Sequence, residues 1–360
     1  MSLINRLKIA SKLNLSIMLL IVVGLLGLMF YTRGNVDTEI RRQAKEQMED
    51  LVMSHSVDIA LELNGAMRTA SVMAGSIGGL IRSGEMDRSS YRAIVQEIAE
   101  QSTYVGMGFL LEPDSVDGHD ADFADTRFSD KTGRLMGYAE RQADGKVVVG
   151  PIAGYEDNVV SQPDGNWYTI PRNTKKATLT EPYLYNGIRM TTAAAPIIVD
   201  GKFYGVATVD LSLKQITDLV TGIKVLDTGY LFLLSDDGNI IAHHKTEFIG
   251  KNLFTEVNRN FEKMRSGIES GKAYQDILLS ATTGTEALFV SVPVTVGDAP
   301  EKWKIILGVP VEETLSTLDT ITRGLMIASI VLIVVMFAMV LLIARSSRRP
   351  RRGARPTNGA

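Results

Sequence analysis

At 360 residues, with 45% hydrophobic and 22% charged residues, the chain has the composition of folded material and the length for two modest domains, which excludes disorder over most of it. It contains no Cys, so a disulfide framework, a thiolate metal site and a cysteine nucleophile are ruled out. The formal net charge is only −3, but its uneven distribution along the chain carries the first functional exclusions.

The first element is apolar. Residues 13–32, between Lys12 and Arg33, are 20 consecutive uncharged residues, which at about 1.5 Å per residue reach across the roughly 30 Å hydrocarbon core. The run exceeds the roughly 7–15 residues of a signal-peptide core, and FYTRGN offers no small-residue cleavage site, so it reads as an uncleaved anchor. From residue 36 to about residue 81, the three- and four-residue spacing of Val36, Ile40, Ala44, Met48, Leu51 and Val52 predicts one long stalk helix. A helix of that length outruns ordinary globular elements, so this stripe is expected to seat in a bundle or a parallel dimer seam, the alternative being a long helix packed only on its own domain.

Beyond SGEMDRSSY the pattern becomes strand-like, and YVGMGFLLEP opens into the acidic loop DSVDGHDADFAD. Those carboxylates lack the spacing of a calcium loop and read as solvated. GRLMGYAERQADGKVVVGPI predicts a hairpin with an Asp-Gly turn; IRMTTAAAPIIVDGKFYGVATVDLSL predicts a second, turning at Asp200-Gly201 and ending at Asp210. Between them lies DGNWYTIPRNTKKATLTEPY, and KQITDLVTGI predicts a short closing helix. The signals then repeat on a smaller scale. TGYLFLLSDDGNIIAHH is a strand, a turn and a strand, FTEVNRNFEKMRSG an amphipathic helix ended by Gly267, and residues 271–310 supply three more strands. A helix from Val311 leads into residues 324–344, 21 uncharged residues and the second predicted span. The fold class is α+β: a long N-terminal stalk helix and two tandem antiparallel-sheet modules, flanked by two transmembrane helices.

Basic residues set the orientation. Arg6, Lys8 and Lys12 precede the first span; Arg345, Arg348, Arg349, Arg351, Arg352 and Arg355 follow the second, with no acid in either tail, so both termini are expected in the cytoplasm. Removing those nine from the 38 basic residues leaves 29 against 41 acidic ones, a net of about −12 outside the tails. That surface argues against nucleic acid as a partner, and two spans alone argue against transport.

Catalytic signals are lacking: there is no G-x-S-x-G, no H-E-x-x-H and no phosphate-binding glycine loop. No cofactor or metal is expected, and His243 and His244, adjacent on a predicted strand, should point to opposite faces. A binding reading has more to build on. Trp167 and Tyr168 are followed by Tyr183 and Tyr185, Asp210 ends the strand run GVATVD, and ring faces folded back beside a carboxylate suit an ammonium group. On pattern alone aromatics at this spacing are more often core, and the pocket reading stands beside that one.

The stalk helix, EPYLYNGIRMTTAAAPIIVDGKFYGVATVDLSL closing the first module and GYLFLLSDDGNIIAHHKTEFIGKNL opening the second together resemble the double Cache sensor region of methyl-accepting chemotaxis receptors. The resemblance implies two PAS-like modules: a membrane-distal, ligand-binding one over residues 84–222, after a stalk at 33–83, and a membrane-proximal one over 223–312. A connecting helix at 313–323 and the span at 324–344 follow, then the Arg-rich tail at 345–360, with the cytoplasmic tail at 1–12 and the first span at 13–32. In the amino-acid-sensing branch, a Trp-Tyr pair, a later Tyr and an Asp ending the hairpin line the distal pocket, and Trp167, Tyr168, Tyr183 and Asp210 match them. Tyr155 and Tyr185 complete the candidate set, although the position of the branch's upstream Tyr falls near Val160. The branch also clamps the ligand carboxylate with an Arg two residues before the Trp, where this chain has Gly165. Arg172, Lys175 and Arg189 are the remaining candidates for that anchor.

The expected protein is a two-pass sensor in the bacterial inner membrane, with its sensor region periplasmic. Its partners are a small amine, quaternary ammonium or amino acid, the lipid bilayer and a second copy of the chain; it is not an enzyme. ARSSRRP resembles the first residues of a receptor's cytoplasmic linker, so a receptor truncated after its second span is expected. Two other readings stand beside it: a dimerising protein that modulates a full-length receptor, and the sensor part of a histidine kinase or cyclase.

Overall fold

The computed structural model describes residues 9–152, 166–297, 299, 302–314 and 316–346. They form two units, one of Met1–Glu46 with Thr314–Ala360 and the other of Gln47–Glu313. The described part of the first unit is helical, holding the start of α1 (Ile9–Ser83, 75 residues) and all of α7 (Ser316–Ser346). Among the described residues no helix is long and apolar enough to cross a membrane. The two uncharged runs fall in α1 and α7, where many side chains lie outside the described residues.

In the second unit, α1 buries Val52, Ile59, Leu63, Ala66, Ala70, Met73 and Ile77, a stripe at helical spacing. The helix ends where Gly84 takes φ +76, and Glu85 N–H donates to the Leu80 carbonyl, satisfying a terminal acceptor. Of the stripe expected to seat in a bundle or a dimer seam, Met48 and Val52 are buried in the chain's own core and Leu51 packs against it, while the side chains of Val36, Ile40 and Ala44 lie outside the described residues. An outward stripe of Met53, Val57 and Leu61, 45–67% exposed, lies on the surface.

A helix not expected from the sequence follows. In α2 (Arg88–Glu100), Asp87 caps the N-terminus by accepting from Ser89 N–H, and Tyr91, Val95 and Ala99 form the buried face. Its first residue reorganises the acidic loop. Arg88, 4% exposed, bonds Asp117 with Nε and Nη2 (2.7 and 2.8 Å), Asp120 (2.6 Å) and the Gly133 carbonyl (2.6 Å). The loop is therefore braced from inside by a buried guanidinium, and Asp120 is buried rather than solvated.

The first sheet has the order β3-β2-β1-β7-β6-β4, with β5 also on β6. Its strands are β1 (Gly106–Leu111), β2 (Met136–Arg141), β3 (Val147–Gly150), β4 (Thr178–Leu179), β5 (Tyr183–Tyr185), β6 (Ile188–Val199) and β7 (Lys202–Ser212). Both expected hairpins form, and Asp200 and Gly201 take φ +50 and +79, as a two-residue turn between right-twisted strands requires. One face, with Met107, Phe109, Ala193, Ala207 and Val209, packs in the core that α1 enters. The other is partly covered by α3 (Asn166–Thr174).

Beyond β7, α4 (Leu213–Thr221) leads to a second sheet ordered β10-β11-β12-β8-β9. It comprises β8 (Tyr230–Leu234), β9 (Ile240–Ala242), β10 (Tyr274–Leu279), β11 (Glu286–Thr295) and β12 (Lys302–Pro310). The expected helix ending at Gly267 is instead a π turn at Leu253–Val257, a 3-10 turn at Arg259–Met264 and α5 (Arg265–Glu269). Asn258, extended at φ −151, breaks the run and caps the next turn by accepting from Asn260 N–H. Gly267 lies inside α5 because a Cβ there would sit 2.3 Å from the Tyr274 ring. A short α6 (Val311–Thr314) closes the unit, with Glu313 accepting from Asp227 N–H and from Thr228 N–H and Oγ1.

Candidate ligand-binding site

Asp210 is the centre of a polar cluster on the outer face of the first sheet. Across three strands it stands in register between Gly106 of β1 and Thr192 of β6, so all three share one face. Thr192 Oγ1 donates to Asp210 Oδ1 at 2.6 Å, and Tyr138 Oη of β2 donates to Oδ2 at 2.7 Å. Tyr183 Oη lies 2.6 Å from Thr192 Oγ1, extending the chain to β5. Gly106 makes the Tyr138 contact possible, because a Cβ there would meet Tyr138 Oη at 2.1 Å and Asp210 Oδ2 at 2.9 Å.

The carboxylate is 3% exposed. Burial pushes its pKa up, more than the hydrogen bonds from Thr192 and Tyr138 pull it down. Burial and the neighbouring Asp210 charge likewise hold the Tyr138 phenol in its neutral, donating form. The site thus contains a buried carboxylate with hydroxyl donors and, among the described residues, no cation bonded to it, a combination suited to a charged N–H donor.

The rings border this cluster. Tyr185 meets Tyr138 edge-on at 5.9 Å, and Tyr138, Trp167 and Tyr168 pack in one apolar cluster with Leu110, Met136 and Phe203. Trp167 is 9% exposed and stands edge-on to Tyr168. The Tyr168 hydroxyl is turned away from Asp210: it donates to Glu112 Oε1 at 2.7 Å and accepts from Arg134 Nη2 at 2.9 Å. Of the sequence candidates, Trp167, Tyr168, Tyr183, Tyr185 and Asp210 thus gather on one face, and Tyr155 lies outside the described residues. Tyr138 and Thr192, which hold Asp210 directly, were not anticipated, because only strand register reveals them.

The three candidate carboxylate anchors are elsewhere. Arg172 Nε pairs with Glu112 at 3.3 Å, and Lys175 Nζ sits 4.6 Å from the Phe203 ring centre. Arg189 pairs with Leu184, one position out of phase with Tyr183 and Tyr185, so it projects from the opposite face, and its Nη1 lies where a Cβ on Gly250 would be 2.9 Å away.

The second sheet has its own aromatic group but little room. Tyr230, Phe232, His243, Phe248 and Phe261 border a cavity of about 10 Å³, space for one water at most. His243 and His244 lie past the end of β9 and stack at 4.5 Å with a 25° interplanar angle, instead of pointing to opposite faces. Burial, with the charges of His244 and Lys245, lowers the His243 pKa to about 3, so it is a neutral packing residue. Among the described residues no acidic and histidine side chains gather as a metal site.

A stalk helix carrying two antiparallel sheets, the first with a buried carboxylate among rings, defines a sensor-type α+β domain. Residues 36–318 match the family profile described as Cache domain, and the chain belongs to that family. It is 25% identical over 186 residues to the methyl-accepting chemotaxis protein PctB of Pseudomonas aeruginosa, covering 51% of this chain and 28% of that protein. The chain therefore spans under a third of that relative's length. Among solved structures, the extracellular domain of the putative histidine kinase mmHK1S-Z3 superposes with a TM-score of 0.69 at 27% identity, covering 77% of this chain and 98% of that one. The ligand-binding domain of the Pseudomonas fluorescens chemoreceptor CtaA, solved with L-isoleucine, shares the fold with a TM-score of 0.53 at 18% identity over 78% of this chain and 98% of its own.

Proposed function

We propose that the chain is the sensory part of a bacterial membrane receptor of the chemotaxis type, taking a small amine- or amino-acid-like ligand on the outer face of the first sheet. The observation that carries this reading is Asp210, buried and held by Tyr138 and Thr192 with, among the described residues, no cationic partner bonded to it. Trp167, Tyr183 and Tyr185 supply the aromatic rim. Tyr168 braces it from behind, and Tyr155 joins the set on the strength of its position in the sequence. The first module, residues 84–222, is the membrane-distal binding unit; the second, residues 223–312, is the membrane-proximal relay.

The runs at 13–32 and 324–344 anchor the protein in the inner membrane as two passes, with the sensor region periplasmic and both basic tails cytoplasmic. Two copies pair along the stalk. The L-isoleucine bound by the CtaA domain supports a ligand of amino-acid size. The histidine-kinase relative favours a second reading, in which the same sensor drives a kinase output. Calorimetric titration of the full chain in detergent with panels of amino acids, amines and dicarboxylates tests the binding claim. Amines or amino acids are expected to bind; a response to dicarboxylates alone overturns it.

A further inference from the structure

We infer that this site takes a small amine lacking a carboxylate in preference to the corresponding α-amino acid. The inference rests on the sensor reading above and narrows its ligand class.

It follows from an account of charge. An α-amino acid brings a carboxylate one carbon from its ammonium group, so docking the ammonium on Asp210 places a second anion beside a carboxylate that is already buried. Such a pair is disfavoured unless a cation or a set of N–H donors offsets the added charge.

Among the described residues, the basic side chains that border this face are engaged. Arg134 directs Nε and Nη2 to the Leu111 carbonyl at 2.8 and 2.5 Å, and Nη2 also reaches Tyr168. Arg172 is paired with Glu112, and Lys175 lies over the Phe203 ring. Arg189 and Arg141 project from the opposite face, where Arg141 Nη2 donates to the Ala99 and Ser102 carbonyls. Residues 153–165, which lead into α3 in the sequence, contain Glu156, Asp157 and Asp164 and no basic residue.

For a simple alkylammonium the same site is complementary. Asp210 accepts one bond at each oxygen and keeps lone pairs for further N–H donors, and Tyr138, Tyr183 and Tyr185 stand on the same sheet face, where aromatic rings favour a cation.

The test uses matched pairs that differ only in the carboxylate: L-isoleucine against 2-methylbutylamine, and L-lysine against cadaverine. Each is titrated calorimetrically into the full chain at neutral pH. At least tenfold tighter binding of the amine is expected in both pairs, with the gain lost in Asp210→Asn. Equal or tighter binding of the amino acids overturns the inference while leaving the sensor reading intact. Silence of all four compounds overturns it as well, and a response to dicarboxylates alone removes the sensor reading with it.

Discussion

Asp210 sits where burial and hydrogen bonding oppose each other, and burial wins: its pKa lies above the ordinary 3.8. The folded state therefore keeps this proton to higher pH than the unfolded state does. Stability from this group is complete below the ordinary value and falls as pH rises through the raised one. Binding of a cation runs the other way, because it needs the ionised carboxylate while an alkylammonium stays charged throughout the range. Titrating cadaverine from about pH 4 to about pH 7 is expected to show affinity rising with pH in the native chain and flat in Asp210→Asn. A flat native profile would place the ligand away from Asp210. The carboxylate was readable in advance as the residue ending a β-rich run, whereas its two hydroxyl partners were not. Tyr138 is 72 residues away and Thr192 is 18, and nothing local in the sequence encodes a cross-strand register.

At the level of elements, the long helix, both hairpins and the second strand set were legible because periodicity and Asp-Gly turns are local signals. Two further elements carry local signals of their own. Asp87 before Tyr91, Val95 and Ala99 is an N-cap followed by a helical stripe, and Asn186-Gly187 between Tyr185 and Ile188 is the turn that forms β5 and β6. The stalk stripe is a different case: an amphipathic pattern names a buried face without saying what buries it, and Met48 and Val52 lie in the chain's own core. If two copies pair along the outward stripe, Val57→Cys in this cysteine-free chain is expected to form a disulfide-linked dimer under mild oxidation in membranes, and Val52→Cys is not. Crosslinking at position 52 alone would exclude that stripe. The brace of α2 is equally testable. Arg88→Ala strands Asp120 without its cation inside the protein and should lower the unfolding free energy by about 3–5 kcal/mol, read from denaturant midpoints at constant slope. A loss under about 1 kcal/mol would mean that water replaces the guanidinium.

In the whole molecule, the segment from Glu181 to Thr192 links the Asp210 cluster to the second sheet. On one face of the β5–β6 hairpin, Tyr183 and Thr192 continue the hydrogen-bond chain from Asp210. Just before β5, Glu181 accepts from Asn239 Nδ2 at 3.0 Å and from Asp237 N–H at 3.4 Å, in the turn between β8 and β9. Beside the hairpin turn lies a groove of about 630 Å³, bordered by Arg189, Leu213, Thr217, Thr246 and Ile249, which leaves the hairpin space to shift. A ligand that displaces Tyr183 is therefore expected to pull on Glu181, two residues earlier, and through its bonds on the turn at Asp237–Asn239. At the far side of the same sheet region, Glu313 of α6 holds Asp227 and Thr228, ahead of β8, and these bonds keep its carboxyl below its ordinary pKa although burial opposes them. Glu181→Ala cuts the first tie without touching the cluster. It is expected to leave amine affinity within about twofold, an effect under about 0.5 kcal/mol, because no binding contact is lost. Hydrogen exchange of the β8–β9 turn should respond to ligand in the native chain and stay unchanged by ligand in Glu181→Ala. A turn that responds equally in both proteins would route the coupling through α4 instead, which packs against both β8 and β9 directly after β7.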